Sequence, residues 1–245
     1  MHGFYTLHVL ETTSSTNEDA KQAALEGAPT GLVIQALSQS GGKGRQGRHW
    51  HSPEGNLYAS ILLRPSCATQ DAGFYSFLTA LAVYETVRHF LPLAKIELKW
   101  PNDVLVEDKK ISGILLEAGP LKNDQFEYLI VGVGLNITSH PENPLYPVTN
   151  LCAEGAKNPP VSTALEIFLE KFEKWRLTLL SDGFDSLRSA WLSHARQGKM
   201  VARLPHKEIH GTFVSIDEAG QLLLKRDDDS VIVPISAADI FFDKE

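Results

Sequence analysis

The chain has 245 residues, enough for one large domain or for a large domain with a small one attached. Its formal net charge of −7 argues against a general nucleic-acid-binding surface, while 43% hydrophobic residues supply a sizeable core. Cys67 and Cys152 lie far apart without metal-ligand spacing, so we expect a cytoplasmic protein without disulfides. No apolar stretch approaches the about 18 residues of a membrane span, and the amino terminus does not resemble an export signal.

A strand is predicted over residues 6–10, and a helix follows it. Ser15 and Glu18 have the spacing of a capping box, and Gly27 is predicted to end the helix. Hydroxyl and amide side chains crowd the helix start at residues 14–17. This cluster either caps the helix or recognises a neutral polar group of a ligand through hydrogen bonds.

A glycine-rich connection, residues 38–53, joins two apolar runs that are predicted strands, residues 31–37 and 56–63. Glycine lets the backbone approach a ligand closely, and the cations among these glycines favour an anion. The alternative is a flexible, solvated turn with ordinary surface charges. The pattern fits neither the GxxxxGK[ST] phosphate loop nor GxGxxG followed by a helix. The glycines occupy positions 41, 42, 44 and 47, and the cations are Lys43, Arg45 and Arg48.

A long amphipathic helix is predicted over residues 71–91, with its aromatic side chains in the core. Three strands are predicted after it, at residues 96–100, 104–106 and 111–116. A tight turn at residues 107–110 joins the last two strands into a hairpin.

Pro101 interrupts the predicted sheet before this hairpin, because proline lacks the N–H that a strand ladder needs. Asn102 and Asp103 therefore lie at a break, where polar groups can face a pocket. Lys110 opens the return strand and is predicted to lie near them, whereas Lys109 points to the opposite face. The alternative for Lys110 is an exposed hairpin lysine.

Another strand is predicted over residues 126–138. Gly132 and Gly134 within it imply close approach by a packed neighbour or by a ligand. Asn136 is polar in an otherwise apolar run and needs a partner if it is buried. It is therefore either a structural contact or a ligand contact.

Two covering helices are predicted over residues 164–180 and 185–194, and the composition changes after residue 196. Short β runs at close spacing then indicate a small, partly open barrel attached to the main domain. We therefore expect domains at residues 1–196 and 197–245. The β runs are residues 200–204, 208–216, 221–225 and 230–233.

Four motifs in one order carry a resemblance to a known family: GKGRQGRHW at residues 42–50, KWPND at 99–103, KISGILLE at 110–117 and GVGLNI at 132–137. Together they resemble the biotin protein ligases, also called biotin–[acetyl-CoA carboxylase] ligases, over almost the whole chain. The resemblance implies an α+β fold: a mixed β-sheet backed by helices, as in class II aminoacyl-tRNA synthetases, and a small SH3-like β-barrel domain at the carboxyl end. Some members add a winged-helix repressor domain; this chain resembles the ligase-only type without a DNA-binding domain.

The resemblance also implies roles for individual residues. Arg45, Lys110 and Asp103 are expected to be catalytic. Lysine stands at position 43 where the family commonly has arginine, which keeps the charge but loses the planar fork. The expected biotin-binding residues are Ser15, Thr16, Asn17, Gln39, Lys43, Gly44, Arg45 and Lys110, and the expected ATP or adenylate contacts are Arg48, Trp50, Asn102 and Asn136.

The implied substrates are biotin and ATP with Mg²⁺, and the first product is biotinyl-5'-AMP. Both reactants are anions, so cations must offset their repulsion. The protein alone is not expected to hold a metal ion, because Mg²⁺ arrives with ATP. The loop of residues 43–50 is expected to be mobile without ligand and to order around it. Asp103 orients the acceptor amine, accepts its proton or binds a biotin ring nitrogen, and the sequence leaves all three open.

The implied partner is a biotin carboxyl carrier protein domain of acetyl-CoA carboxylase or a related carboxylase; neither DNA nor a membrane is expected. The chain is expected to be a monomer or a homodimer, and an exposed sheet edge is suited to pairing two subunits or docking the acceptor's hairpin. Two other functions stay open. One is a lipoate or octanoate ligase or transferase of the same fold, with a mostly apolar pocket, and the other is a nonenzymatic biotin-binding module.

Overall fold

The computed structural model describes residues 4–142 and 146–242. Its helices are α1 (Thr16–Leu25), α2 (Phe74–Phe90), α3 (Val161–Asp182) and α4 (Phe184–Leu192). Its strands are β1 (Thr6–Thr13), β2 (Leu32–Gln39), β3 (Leu57–Leu63), β4 (Ile96–Lys99), β5 (Asp103–Val106), β6 (Lys109–Ala118), β7 (Leu121–Lys122), β8 (Gln125–Phe126), β9 (Leu129–Leu135), β10 (Lys199–Leu204), β11 (Lys207–Ile216), β12 (Leu222–Arg226), β13 (Ile232–Ile235) and β14 (Asp239–Phe242). Within these ranges, no helix is both long and apolar enough to cross a membrane.

A seven-stranded mixed sheet, in the order β1-β2-β3-β9-β6-β5-β4, forms the larger part of the fold. β1 and β2 run parallel, and the other neighbours run antiparallel. The predicted mixed sheet is confirmed. β9 lies at its centre, where Gly132 pairs with Ser60 of β3 on one side and with Leu115 of β6 on the other. The glycine-containing strand β9 is thus hydrogen-bonded to a neighbouring strand along both of its edges.

The two faces of this sheet are covered differently, because successive side chains of a strand point to opposite faces. Val131 of β9 belongs to a large core that α2 and α3 cover. Ile130 belongs to a smaller cluster with Ala20 of α1 on the other face. Gly132 and Gly134 follow Ile130 in the same alternation and share its face. Since α1 covers only part of that face, the region beyond its amino terminus is left for a site.

A five-stranded antiparallel sheet, in the order β13-β12-β11-β10-β14, follows the main sheet. Its apolar residues continue the large core, and the indole N–H of Trp100 donates to the carbonyl of Gly220 at 3.0 Å. β13 and β14 are its two edges, which agrees with a small, SH3-like domain whose barrel is partly open. The strand β14 was not predicted. We keep residues 1–196 and 197–245 as the proposed domains.

The start of α1 differs from the prediction. Ser15 is the N-cap residue, but among the described residues its side chain has no capping hydrogen bond. Glu18, the second member of the predicted capping box, forms an ion pair with Lys43. The capping-box prediction is therefore wrong, because Ser15 lines a cavity and Glu18 reaches the glycine-rich loop.

Trp100→Phe is expected to lower the free energy of unfolding by about 1 kcal/mol, since it removes a buried hydrogen bond but keeps most of the ring packing. Urea denaturation measures this change. Trp175→Phe is the matched control, because it removes an indole hydrogen bond to Glu85 of 2.9 Å near the surface of α3. We expect it to cost about half as much or less. Equal losses would contradict a particular role for the Trp100 contact in joining the two sheets.

Candidate active site

The predicted site residues meet in one cavity on the α1 face of the main sheet. It lies between the first turn of α1, the glycine-rich loop, the interruption between β4 and β5 at Pro101, and strand β14 of the small sheet. All predicted site residues except Asn136 line it: Ser15, Thr16, Asn17, Gln39, Lys43, Gly44, Arg45, Arg48, Trp50, Asn102, Asp103 and Lys110. We call the part lined by Ser15, Thr16, Asn17 and Gln39 its uncharged, or neutral, end, and the part lined by Lys99, Lys110, Arg45 and Arg48 its cationic end.

The uncharged end is built around Thr16 and Gln39. The Gln39 Oε1 accepts from the Thr16 backbone N–H at 2.9 Å and lies 3.2 Å from the Thr16 Oγ1. The Gln39 Nε2 donates to the Ser52 Oγ at 2.9 Å, and this hydroxyl donates to the Trp50 carbonyl at 2.9 Å. These contacts fix the amide so that its orientation is defined before a ligand arrives.

Asn17 is fixed equally firmly. Its Nδ2 donates to the Glu117 Oε2 at 2.7 Å, and its Oδ1 accepts from the Ser60 Oγ at 2.6 Å. A Cβ added at Gly132 would lie 2.2 Å from the Asn17 Oδ1, so glycine is needed there for close approach. The interpretation of Gly132 as a packing position is therefore supported, and its neighbour is a side chain of the site.

The glycine-rich loop has structure of its own. Isolated bridges pair Gln39 with Ser52 and Lys43 with His49, and the Trp50 N–H donates to the Gly42 carbonyl at 2.8 Å. A 3-10 turn, Arg45–Gly47, forms its tip. The loop therefore resembles an irregular hairpin that presents its cations to the cavity. Its predicted mobility without ligand stays a prediction.

Trp50 packs on the sheet through two glycines. A Cβ added at Gly134 would lie 2.5 Å from the Trp50 Nε1, and one at Gly113 would lie 3.0 Å from its Cζ3. Within the described part of the chain, the buried Trp50 Nε1 has no hydrogen-bond partner. Because the ring also borders the cavity, this N–H is a candidate donor to a ligand.

A buried carboxylate between two lysines forms the cationic end. The Lys110 Nζ lies 2.6 Å from the Asp103 Oδ1, and the Lys99 Nζ lies 3.4 Å from the Asp103 Oδ2. Burial alone raises the pKa of Asp103, but Lys110 and Lys99 more than offset it, so the pKa lies below its ordinary value. Burial also lowers the pKa of Lys99, against the partial opposition of Asp103. The predicted proximity of Lys110 to Asp103 is confirmed.

Asp103→Asn is expected to lower the free energy of unfolding at pH 7 by about 2 kcal/mol, because two buried lysines lose their counter-charge. The Asp103 pKa is lower in the folded protein, so its contribution is present above the unfolded value of about 3.9. The difference between wild type and variant should therefore shrink as pH falls below about 4 through the folded pKa. Denaturation from pH 7 to pH 2 measures it.

The control for this titration is Asp124→Asn, which replaces an exposed carboxylate at a turn position with φ 59° that asparagine tolerates. We expect the stability difference between wild type and this control to change little with pH. A difference for Asp103→Asn that stays constant down to pH 2 would contradict the ion-pair assignment.

Two arginines complete the cationic end. The Arg45 Nη1 donates to the Asn102 Oδ1 at 3.4 Å, and the Asn102 Nδ2 donates to the Ile114 carbonyl at 2.6 Å. Burial lowers the pKa of Arg45, and the charge of Asp239 partly opposes this. The Arg48 Nη2 lies 2.6 Å from the Asp239 Oδ1. Both guanidinium groups therefore lie beside the cavity, where they can bind an anion.

Asn136 lies outside this cavity. It is buried, and its Nδ2 donates to the Thr149 carbonyl at 2.9 Å. Its backbone N–H donates to the Ile111 carbonyl at 2.9 Å. Its position supports the structural interpretation, while its expected adenylate contact stays a prediction.

Several residues around the site were not assigned from the sequence. Lys99 lies within a recognised motif but was given no role. Tyr146 borders the cavity, with its ring centroid 5.3 Å from the Lys110 Nζ. The other unassigned residues are Ser60, Glu117 and Asp239. In the described ranges, no group of three or more histidine, cysteine, aspartate or glutamate residues is arranged to hold a metal ion.

Comparisons with known proteins agree with this geometry. Residues 9–136 match the Biotin/lipoate A/B protein ligase family, and residues 200–243 match the Biotin protein ligase C terminal domain. The biotin–[acetyl-CoA-carboxylase] ligase of Paracoccus denitrificans is 33% identical over 96% of this chain and 99% of its own length. The bifunctional ligase/repressor BirA of Bacillus subtilis is 31% identical over 94% of this chain and 72% of its own length.

A solved structure of a biotin protein ligase has the same fold as this chain. The biotin protein ligase from Aquifex aeolicus in complex with biotin and ATP has a TM-score of 0.81 and 28% identity to this chain. The match covers 96% of this chain and 97% of that one. Taken with the two matched domains and the cavity that the shared motifs build, these similarities show that the chain belongs to the biotin protein ligase family.

Proposed function

We propose that this protein activates biotin with ATP to biotinyl-5'-AMP and then transfers the biotinyl group to a lysine of a carrier domain. One observation carries the proposal: a fixed, uncharged hydrogen-bonding end and a cationic end share a single cavity. Biotin has both a neutral ureido ring and a carboxylate. The cavity therefore suits a molecule that is neutral and polar at one end and anionic at the other.

The neutral end recognises the ring. The ureido group offers two N–H donors and a carbonyl acceptor, which require partners of both kinds. Ser15, Thr16, Asn17 and Gln39 supply hydroxyl and amide groups within one turn of helix and one strand end. Because Gln39 is already hydrogen-bonded to Thr16 and Asn17 is held by Ser60 and Glu117, little conformational freedom is lost when the ring binds.

The cationic end supports activation. The biotin carboxylate attacks the α-phosphorus of ATP, an acyl-phosphate bond forms, and pyrophosphate leaves. We assign Lys110, Lys99, Arg45 and Arg48 to offset the repulsion between these anions. Mg²⁺ enters bound to the phosphates and neutralises part of their charge.

Transfer follows at the same place. The ε-amine of the acceptor lysine attacks the acyl carbon, AMP leaves, and the amine loses a proton. Asp103 is 8% exposed, and its depressed pKa keeps it ionised at neutral pH. We assign it to accept a hydrogen bond from the neutral ε-amine of the acceptor lysine, which holds the nitrogen lone pair in line for attack on the acyl carbon.

The partner we propose is a biotin carboxyl carrier domain, since the Paracoccus denitrificans relative is named a biotin–[acetyl-CoA-carboxylase] ligase. A cytoplasmic location is proposed with it, because carriers of this kind meet ATP there. The expectation that the chain acts as a monomer or a homodimer stays a prediction.

The test uses purified protein with biotin, ATP, Mg²⁺ and a biotin carrier domain, and reads the intact mass of the carrier. We expect a single biotinyl mass gain. A gain with lipoate and a lipoyl domain, but none with biotin, would identify a lipoate ligase. Binding of biotin without any gain would identify a nonenzymatic module. The fixed polar groups at the neutral end favour biotin, because a lipoyl chain would leave them unpaired.

A further inference from the structure

The small C-terminal sheet takes part in the cavity. Asp239, Ile240 and Phe241 of β14 line it beside the glycine-rich loop. The Asp239 Oδ1 lies 2.6 Å from the Arg48 Nη2, and the two side chains are 20% and 39% exposed. The Arg48 Nε also donates to the Arg45 carbonyl at 3.3 Å. The guanidinium is therefore held between the loop and the small sheet.

We propose that Asp239 is a positioning residue for ATP, which acts by holding Arg48 at the cavity before the nucleotide arrives. This proposal rests on the proposed ligase function. An arginine at the tip of a loop has many rotamers, and binding a phosphate would have to order both the side chain and the loop. A carboxylate on a rigid strand fixes one arrangement in advance. The small sheet then contributes to activation through one residue of the main domain.

The charge of Asp239 does not make the cavity unfavourable to phosphates. Five cationic side chains and two carboxylates, Asp103 and Asp239, line it, so a net positive charge remains. Asp239 is also placed to release Arg48, because a triphosphate with Mg²⁺ competes for the same guanidinium. The ion pair therefore prepares the site without closing it.

The test compares wild type with Asp239→Asn, which keeps the shape of the side chain and removes its charge. We expect the KM for ATP in biotinyl-5'-AMP formation to rise about three- to tenfold, while the KM for biotin changes less than about twofold. Without ligands, trypsin should cleave after Arg45 and Arg48 faster in the variant, because the loop loses its anchor. Mass spectrometry of the fragments gives that rate.

Glu208→Gln is the matched control, since it also removes a carboxylate of the small sheet from an ion pair, the one with Arg203 at 2.7 Å. It should change neither KM nor cleavage of the loop. An unchanged or lower KM for ATP in Asp239→Asn, or equal rises for ATP and biotin, overturns the proposal. If wild type forms no biotinyl-5'-AMP, the proposed function fails, and the cleavage rates still decide whether Asp239 fixes the loop.

Discussion

Lys110→Ala is expected to reduce kcat/KM for biotinyl-5'-AMP formation by about 10²- to 10³-fold. Two anions about 4 Å apart repel by about 4 kcal/mol at an effective dielectric constant of 20. The Lys110 side chain is 12% exposed and belongs to the cationic end of the cavity, where its ammonium offsets that repulsion. Alanine also leaves Asp103 with less counter-charge, which makes the approach of both substrates less favourable.

Lys109→Ala is the control for this change. Lys109 is the adjacent residue of β6, points to the opposite face and forms an ion pair with Glu154 at 2.5 Å. The activity of the Lys109→Ala variant should stay within about twofold of wild type. Pyrophosphate release, with each substrate limiting in turn, measures both variants. Comparable losses of kcat/KM in the two variants would mean that the effect does not depend on which face of β6 the lysine occupies. That result would contradict the assignment of Lys110.

This pair of lysines shows why part of the site was predictable from sequence. The hairpin turn and the alternation of side chains in β5 and β6 determine which face of the sheet each side chain takes. The interruption of the strand at Pro101 places Asp103 at the start of β5, on the same face as Lys110. The period of a strand is short and regular, so the placement needs no knowledge of the rest of the fold. The structure confirms it through the ion pair of Lys110 with Asp103.

The residues that escaped prediction depend on distant parts of the chain. Glu117 has the appearance of an exposed strand end, yet it accepts a hydrogen bond from Asn17, which lies 100 positions earlier. Asp239 lies 191 positions from Arg48, in a strand that was not predicted. No local pattern encodes such contacts, because they exist only after the sheet and its covering elements have packed. The capping-box prediction for Ser15 was wrong for a related reason, since Glu18 pairs with Lys43 of the glycine-rich loop and does not reach back to the helix start.

Gly132→Ala is expected to raise the KM for biotin about 10- to 100-fold, with much less effect on the KM for ATP. The new methyl group would lie 2.2 Å from the Asn17 Oδ1 in the centre of the sheet. Asn17 must then move, which breaks its hydrogen bonds to Ser60 and Glu117 and disturbs the neutral end of the cavity. Overpacking also costs about 1–3 kcal/mol of stability, so the melting temperature should be measured beside the kinetics.

Two further variants distinguish damage to the biotin-binding residues from a general loss of stability. Gly73→Ala adds the same methyl group where the backbone is already helical, with φ −59°, and nothing lies within 4 Å of the new atom. It should leave both KM values unchanged. Asn17→Ala removes the same hydrogen bonds without overpacking and should raise the KM for biotin in the same direction as Gly132→Ala. If both site variants fold and bind biotin as wild type does, the ring is held elsewhere, because the three atoms nearest to a Cβ at Gly132 all belong to Asn17.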